Sequence, residues 1–200
     1  MLSKLREKLR LLSDYNKLAH IEKIARRYFV MNSFDGVLAI LGILVGSLIA
    51  GAPAALVVST GIAAGIAMGV SGIWGAYLTE RAERQKEIRD LERATLTKLK
   101  ATQIERAAKA AVVIIALVDG IAPLAAALIV LMPFLILRPF LALQQIYYLS
   151  IGIAFAALFM LGVFLGNLSR ENIIKMGLIM ILAGLASVGL SYILLGTVVA

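Results

Sequence analysis

The chain has 200 residues, of which 61% are hydrophobic and 16% charged, with no cysteine and a formal net charge of +8. That balance excludes a soluble domain, a disulfide-stapled module, a thiolate metal site and cysteine-based catalysis. The charges are also segregated. Between positions 28 and 79 the only charged residue is Asp35, and between 110 and 137 the only one is Asp119. Segments 139–169 and 176–200 carry none. Runs of about 20 mostly apolar residues cross about 30 Å of hydrocarbon as helix. The pattern predicts an all-α membrane protein with five transmembrane helices.

In chain order, the first 27 residues place Leu2, Leu5, Leu9 and Leu12 at 3-4-3 spacing, with Lys4, Arg6, Lys8 and Arg10 around them. This is the pattern of an amphipathic helix lying along the membrane interface. It lacks the short apolar core and cleavage site of a removable signal peptide. His20, the only histidine, precedes the first span and reads as a solvated side chain. The membrane domain takes 28–200, with spans at about 30–50, 54–78, 110–137, 146–166 and 173–199. Backbone groups in lipid must bond internally, so these runs become helices. Strands are disfavoured because no segment of about ten residues alternates apolar with polar. Gly51-Ala52-Pro53 makes a tight turn, Arg138-Pro139 breaks the chain, and 167–172 supplies a polar start for the fifth span.

Between Ala76 and Asp119 there is neither glycine nor proline. The second and third helices are therefore expected to run past the membrane into a short antiparallel stalk over 79–109, turning near 95–100. Glu80, Glu83, Glu87 and Asp90 recur at spacings of three, four and three, which puts four carboxylates on one face among Arg81, Arg84, Lys86 and Arg89. The simplest reading is a solvated, salt-bridged helix; the functional one is a surface that collects divalent cations.

Lys and Arg number eight in 1–27, nine in 80–109 and two in 167–175, against Arg138 alone on the opposite side. With five spans the first three segments share a face, so the N-terminus is expected in the cytoplasm and the C-terminus outside. This bias and attraction to anionic lipid account for the net charge without nucleic acid.

Two carboxylates inside spans stand out. Such a group costs about 2.5–3.5 kcal/mol on insertion scales and normally faces protein or water. Asp35 and Asp119 occur in matching contexts, Phe34-Asp35-Gly36-Val37 and Val118-Asp119-Gly120-Ile121, a faint parallel repeat. Pro123 removes the donor that would bond the carbonyl of Asp119. A bared carbonyl beside a carboxylate suits a hard cation, which prefers oxygen ligands. The alternative is a kinked helix with a protonated aspartate. Glycines four apart, at 42 and 46, at 61, 65 and 69, and at 162 and 166, mark faces for close helix packing or a dimer seam. Met68 lies in the second stripe, as a gap filler or as a soft ligand for a transition metal. No nucleophile–base pair, phosphate loop or hydrolytic metal motif occurs, so the chain is not read as an enzyme.

The run His20-Ile-Glu22, followed by Arg27-Tyr-Phe-Val-Met-Asn-Ser-Phe-Asp35-Gly36, resembles the opening of the vacuolar iron transporter family in its archaeal and bacterial form. Ala67-Met68 with Gly75-Ala-Tyr77-Leu-Thr-Glu80-Arg-Ala-Glu83-Arg resembles that family's second span and acidic helix extension. The resemblance implies a homodimer with a metal path between protomers, exchanging protons for Fe²⁺ or Mn²⁺. Asp35 falls on the metal-path aspartate. Met68 falls on the second-span methionine, although alignment through Tyr77 puts Gly72 there. Glu80 and Glu83 fall on the acidic extension. Phe34 stands where the family has asparagine, Ala76 where it has glutamate, and the cytoplasmic metal-binding domain is reduced to the stalk.

The expectation is thus a dimeric secondary transporter of divalent transition-metal cations by proton antiport, in a prokaryotic plasma membrane. Asp35 and Asp119 would alternate between proton and metal. Met68 would be a further ligand, with Glu80, Glu83 and Glu87 collecting cations at the cytoplasmic mouth. The metal is substrate, and no cofactor is expected. A relative that keeps the fold and dimer as a membrane scaffold is the alternative, and a proton-coupled carrier of an organic solute is a third.

Overall fold

The computed structural model describes Tyr15 and residues 19–199, with side chains as far as 194. It contains five helices: α1 (Ile21–Ile49), α2 (Ala54–Thr95), α3 (Gln103–Ile136), α4 (Leu143–Ser169) and α5 (Ile173–Val199). All five are long and apolar enough to cross a membrane. No strand occurs among the described residues. Leu2, Leu5, Leu9 and Leu12, the proposed amphipathic face, lie outside the described residues. Tyr15 and Ala19 are helical, and a positive φ of 50° at His20 separates them from α1.

The punctuation between helices follows the sequence closely. After α1 the backbone turns through Gly51 at φ 63°. Gly51 N–H donates to the Leu48 carbonyl at 3.2 Å and Ala52 N–H to the Ser47 carbonyl at 2.8 Å. That pair of bonds is a Schellman stop, which needs a left-handed residue at the position glycine holds. Thr102 and Glu105 open α3: the Thr102 hydroxyl accepts from Glu105 N–H at 3.4 Å, and Glu105 accepts from Ala101 N–H at 2.6 Å. Lys109, bonded to Glu105 at 2.8 Å, and the Ala101 N–H together hold the Glu105 carboxyl below the usual carboxylate range. Asn172 caps α5, accepting from the N–H groups of Ile174 and Lys175 at 3.0 and 3.2 Å.

The chain divides into two compact units. One holds the described residues up to Phe29 together with Val70–Ile121, and the other holds Val30–Gly69 with the residues from Ala122 onward. In the first unit Ala19 and Ile21 pack with Ala107, Ala111 and Ile115, and Tyr28 and Ile24 lie against them. The second unit has the larger core, in which Val37, Ile40, Leu41 and Leu44 of α1 meet Val57, Val130, Leu131 and Phe134, then Ile146, Tyr147 and Leu158 of α4.

Within the second unit α4 and α5 touch backbone to backbone. A Cβ built on Gly162 would lie 2.5 Å from the Met176 carbonyl oxygen, and one on Gly177 would lie 2.4 Å from the Phe159 ring. Lipid tails are as apolar as leucine, so helices in a bilayer gain from such dispersion contact rather than from burial as such. Glycine is what lets these axes approach. The stripe at 61 and 65 also packs, against the Leu131 side chain and Ala127, whereas Gly42 faces open space within the chain.

Candidate functional site

The charged groups that the fold removes from solvent are concentrated in the first unit. Asp119 on α3 is only 5% exposed. Its surroundings follow from two residues. Pro123 inside α3 has no N–H, so the i+4 position cannot donate to the Asp119 carbonyl. Across from it stands Gly72 of α2. A Cβ at Gly72 would come within 3.1 Å of the Asp119 carbonyl oxygen and equally within 3.1 Å of Asp119 Oδ2. One backbone oxygen and one carboxylate oxygen of the same residue therefore pack closely against the glycine, where any other side chain at 72 would collide with them. Two oxygens so placed are hard donors, suited to a proton or an oxygen-loving cation.

A second buried carboxylate lies nearer the polar end of α2. Glu80 is 6% exposed, and the Tyr28 hydroxyl donates to it. Arg84 Nε lies 3.8 Å from Glu80 Oε2, and both side chains are largely buried. The same guanidinium reaches Glu87 Oε2 at 2.9 Å and donates to the Ala19 carbonyl at 2.9 Å. Arg84 thus ties the segment before α1 to α2 while neutralising a carboxylate beneath it. A planar fork of donors makes these contacts at once, which a lysine could not.

The face of four carboxylates expected on α2 needs correction at one member. Glu83, Glu87 and Asp90 are exposed, as a solvated helix requires, but Glu80 is not. The buried stripe of α2 continues through Ala76 into Glu80, one turn further on, and turns the residue inward. The glycine stripe itself carried that signal: positions 61, 65, 69, 72, 76 and 80 keep a spacing of three or four throughout.

Of the remaining expected ligands, Met68 is half-buried on α2, and Asp35 of the second unit is exposed on α1. Among the described residues no group of three or more His, Asp or Glu side chains is gathered that could hold a metal. Glu80 and Glu87 meet at an arginine rather than at a vacancy for a cation. His20 is exposed.

No family model matches the chain, and no solved structure matches it. The uncharacterized protein MJ0645 of Methanocaldococcus jannaschii is 35% identical over 163 residues, covering 80% of this chain and 83% of its own length. The chain belongs to the family of that archaeal protein.

Proposed function

We propose that the chain is a secondary transporter that exchanges protons for a divalent transition-metal cation, Fe²⁺ or Mn²⁺, and works as a homodimer with its N-terminus in the cytoplasm. The observation that carries this reading is Asp119, buried within an apolar helix with its carboxylate and its carbonyl oxygen turned toward Gly72. A carboxylate can hold either a proton or a cation, and a cation that displaces the proton couples the two movements. Gly72 lets α2 approach the Asp119 oxygens closely. Motif resemblance to vacuolar iron transporters and the clustering of Lys and Arg on one side support the substrate class and the orientation.

Asp35 supports the dimer. An ionised aspartate exposed to lipid costs about 2.5–3.5 kcal/mol near the centre of a span. An exposed Asp35 is accommodated when a second protomer or a water-filled path covers it. The exposed Glu83 then raises the local cation concentration at the cytoplasmic end, while Glu80, accepting from Tyr28 of α1, holds α1 and α2 together.

Proteoliposomes loaded against a proton gradient test the reading through Mn²⁺ uptake. Asp119→Asn keeps the shape of the side chain and removes its ionisation, and it is expected to abolish uptake; Gly72→Val, which drives a side chain against the Asp119 oxygens, is expected to do the same. Glu83→Gln leaves the turnover standing and weakens only the apparent affinity for the metal. Parent-like uptake by Asp119→Asn, in a variant that elutes as the parent does, overturns the assignment.

The scaffold reading draws on the arginine-bound carboxylates and on the absence of a gathered metal cluster among the described residues. Calorimetry with Mn²⁺, Fe²⁺, Co²⁺ and Zn²⁺ separates the two, because a scaffold shows no saturable heat while remaining dimeric.

A further inference from the structure

We infer that the first unit carries a site for the phosphate of an anionic phospholipid, in a cleft between the charged ends of α2 and α3. The cleft encloses about 640 Å³ and draws its lining from 77–92 of α2 and from 100–113. Its polarity is graded. Tyr77, Val112 and Val113 line one part; Arg81, Arg89, Lys100 and Lys109 line another.

Both helices change composition within the cleft. On α2 the apolar run gives way to charge at Glu80, and on α3 charge gives way to the apolar run after Lys109. A ligand that fits must therefore be anionic at one end and apolar at the other, at the depth where headgroups meet hydrocarbon. Basic pockets between membrane helices suit such headgroups.

The charge count sharpens the case. Five cationic side chains line the cleft, counting Arg84, against the carboxylates of Glu92 and Glu105. Arg84 is occupied by Glu80 and Glu87, and Lys109 by Glu105 at 2.8 Å. Glu92 accepts from Leu99 N–H at 2.8 Å. Among the described residues no ion pair engages Arg81, Arg89 or Lys100. The Arg81 guanidinium stands 6.0 Å from the centroid of the Tyr77 ring, a cation–π contact that holds it at the boundary of the apolar part. Arg81, Arg89 and Lys100, the last of them near enough to Glu105 to help lower its pKa, leave the cleft with more positive than negative charge, which a phosphate meets with charge-assisted hydrogen bonds. The exposed Val113 beside them offers a surface for the first methylenes of an acyl chain.

This site is independent of the transport reading. It contains neither Asp119 nor Gly72, and its ligand is an anion.

The full chain in a neutral maltoside micelle is titrated with fluorescently labelled phosphatidylglycerol. Saturable binding is expected, with labelled phosphatidylcholine failing to saturate. Each of Arg81→Gln, Arg89→Gln and Lys100→Gln should weaken binding about fivefold, the effect of one interfacial cation, and the triple variant should abolish it. Arg138→Gln, remote in sequence and outside the lining, should bind as the parent does. Glu92→Gln keeps an acceptor for Leu99 and removes a negative charge, so it should tighten binding. That variant tests the site even if the triple variant fails to fold. Displacement by unlabelled phosphatidylglycerol but not by excess inorganic phosphate assigns the site to lipid. Equal displacement by inorganic phosphate overturns the lipid assignment in favour of a soluble phosphate compound. Equal binding of the two lipids, or unchanged affinity in both the triple variant and Glu92→Gln, overturns the site.

Discussion

The two units are held by different forces, although the same helices contribute to both. The second is packed almost wholly by apolar side chains and glycine, and its one acidic residue within α1, Asp35, is exposed. The first buries Asp119 and Glu80 and answers at least one of them with an arginine. Packing by dispersion is spread over many weak contacts, so single substitutions are partly absorbed. A buried ion pair is concentrated in a few atoms, and removing one partner strands the other. The first unit should therefore be brittle where the second is tolerant.

Arg84→Ala should show this most strongly. It leaves Glu80 buried without its counter-charge and unties Ala19, with an expected loss of about 3–5 kcal/mol in unfolding from mixed micelles. Pairing the change with Glu80→Gln should return most of that loss. A double variant as unstable as the single one would mean that packing, not charge, makes Arg84 necessary.

Inside the second unit the glycines grade the tolerance. Gly162→Ala sets a methyl against the Met176 backbone, which cannot move alone, and about 2 kcal/mol of strain is expected. Gly61→Ala meets only the end of the Leu131 side chain. Leu131 can rotate, so the same measurement should find under about 1 kcal/mol. Equal costs at the two sites would erase the distinction between backbone and side-chain contact.

The smallest effect lies at the end of α4, where Arg170 takes the left-handed conformation at φ 58°. Its neighbour Glu171 N–H donates to the Gly166 carbonyl at 3.0 Å. Arg170→Gly relieves an unfavourable backbone well, partly offset by the greater freedom of glycine in the unfolded chain, for a gain of roughly 0.5–1 kcal/mol. A loss instead would show that the Arg170 side chain contributes more than its backbone costs.

How much of this was legible depends on the range over which each cause acts. The helices and their stops come from local causes: long chargeless runs, Gly51 where φ must be positive, Asn172 ahead of an apolar run. The sequence alone supports those readings. The fate of Glu80 is legible only in part: the spacing of 61, 65, 69, 72, 76 and 80 turns it inward, but its i, i+4 pair with Arg84 looks the same on a solvated helix as on a buried one, and the contact of Arg84 with the Ala19 carbonyl, 65 residues away, is visible only in the structure. Asp119 was recognisable as costly from its setting. That Gly72, rather than another small residue of α2, stands opposite depends on the register between two helices, and a run containing Gly69, Ser71, Gly72 and Gly75 does not encode that register unambiguously. Gly42 shows the same limit from the other side, since its motif promises a neighbour that the chain itself does not provide.

The turn between α1 and α2 has a consequence for biosynthesis. The Ala52 carbonyl accepts from the buried Tyr147 hydroxyl at 3.0 Å, across 95 residues of sequence. At roughly 5–20 residues per second of translation, the first hairpin leaves the ribosome many seconds before its fastening does. In that interval the acceptor must be served by water or by the insertion machinery, so the opening pair of helices is secured only when the fourth arrives.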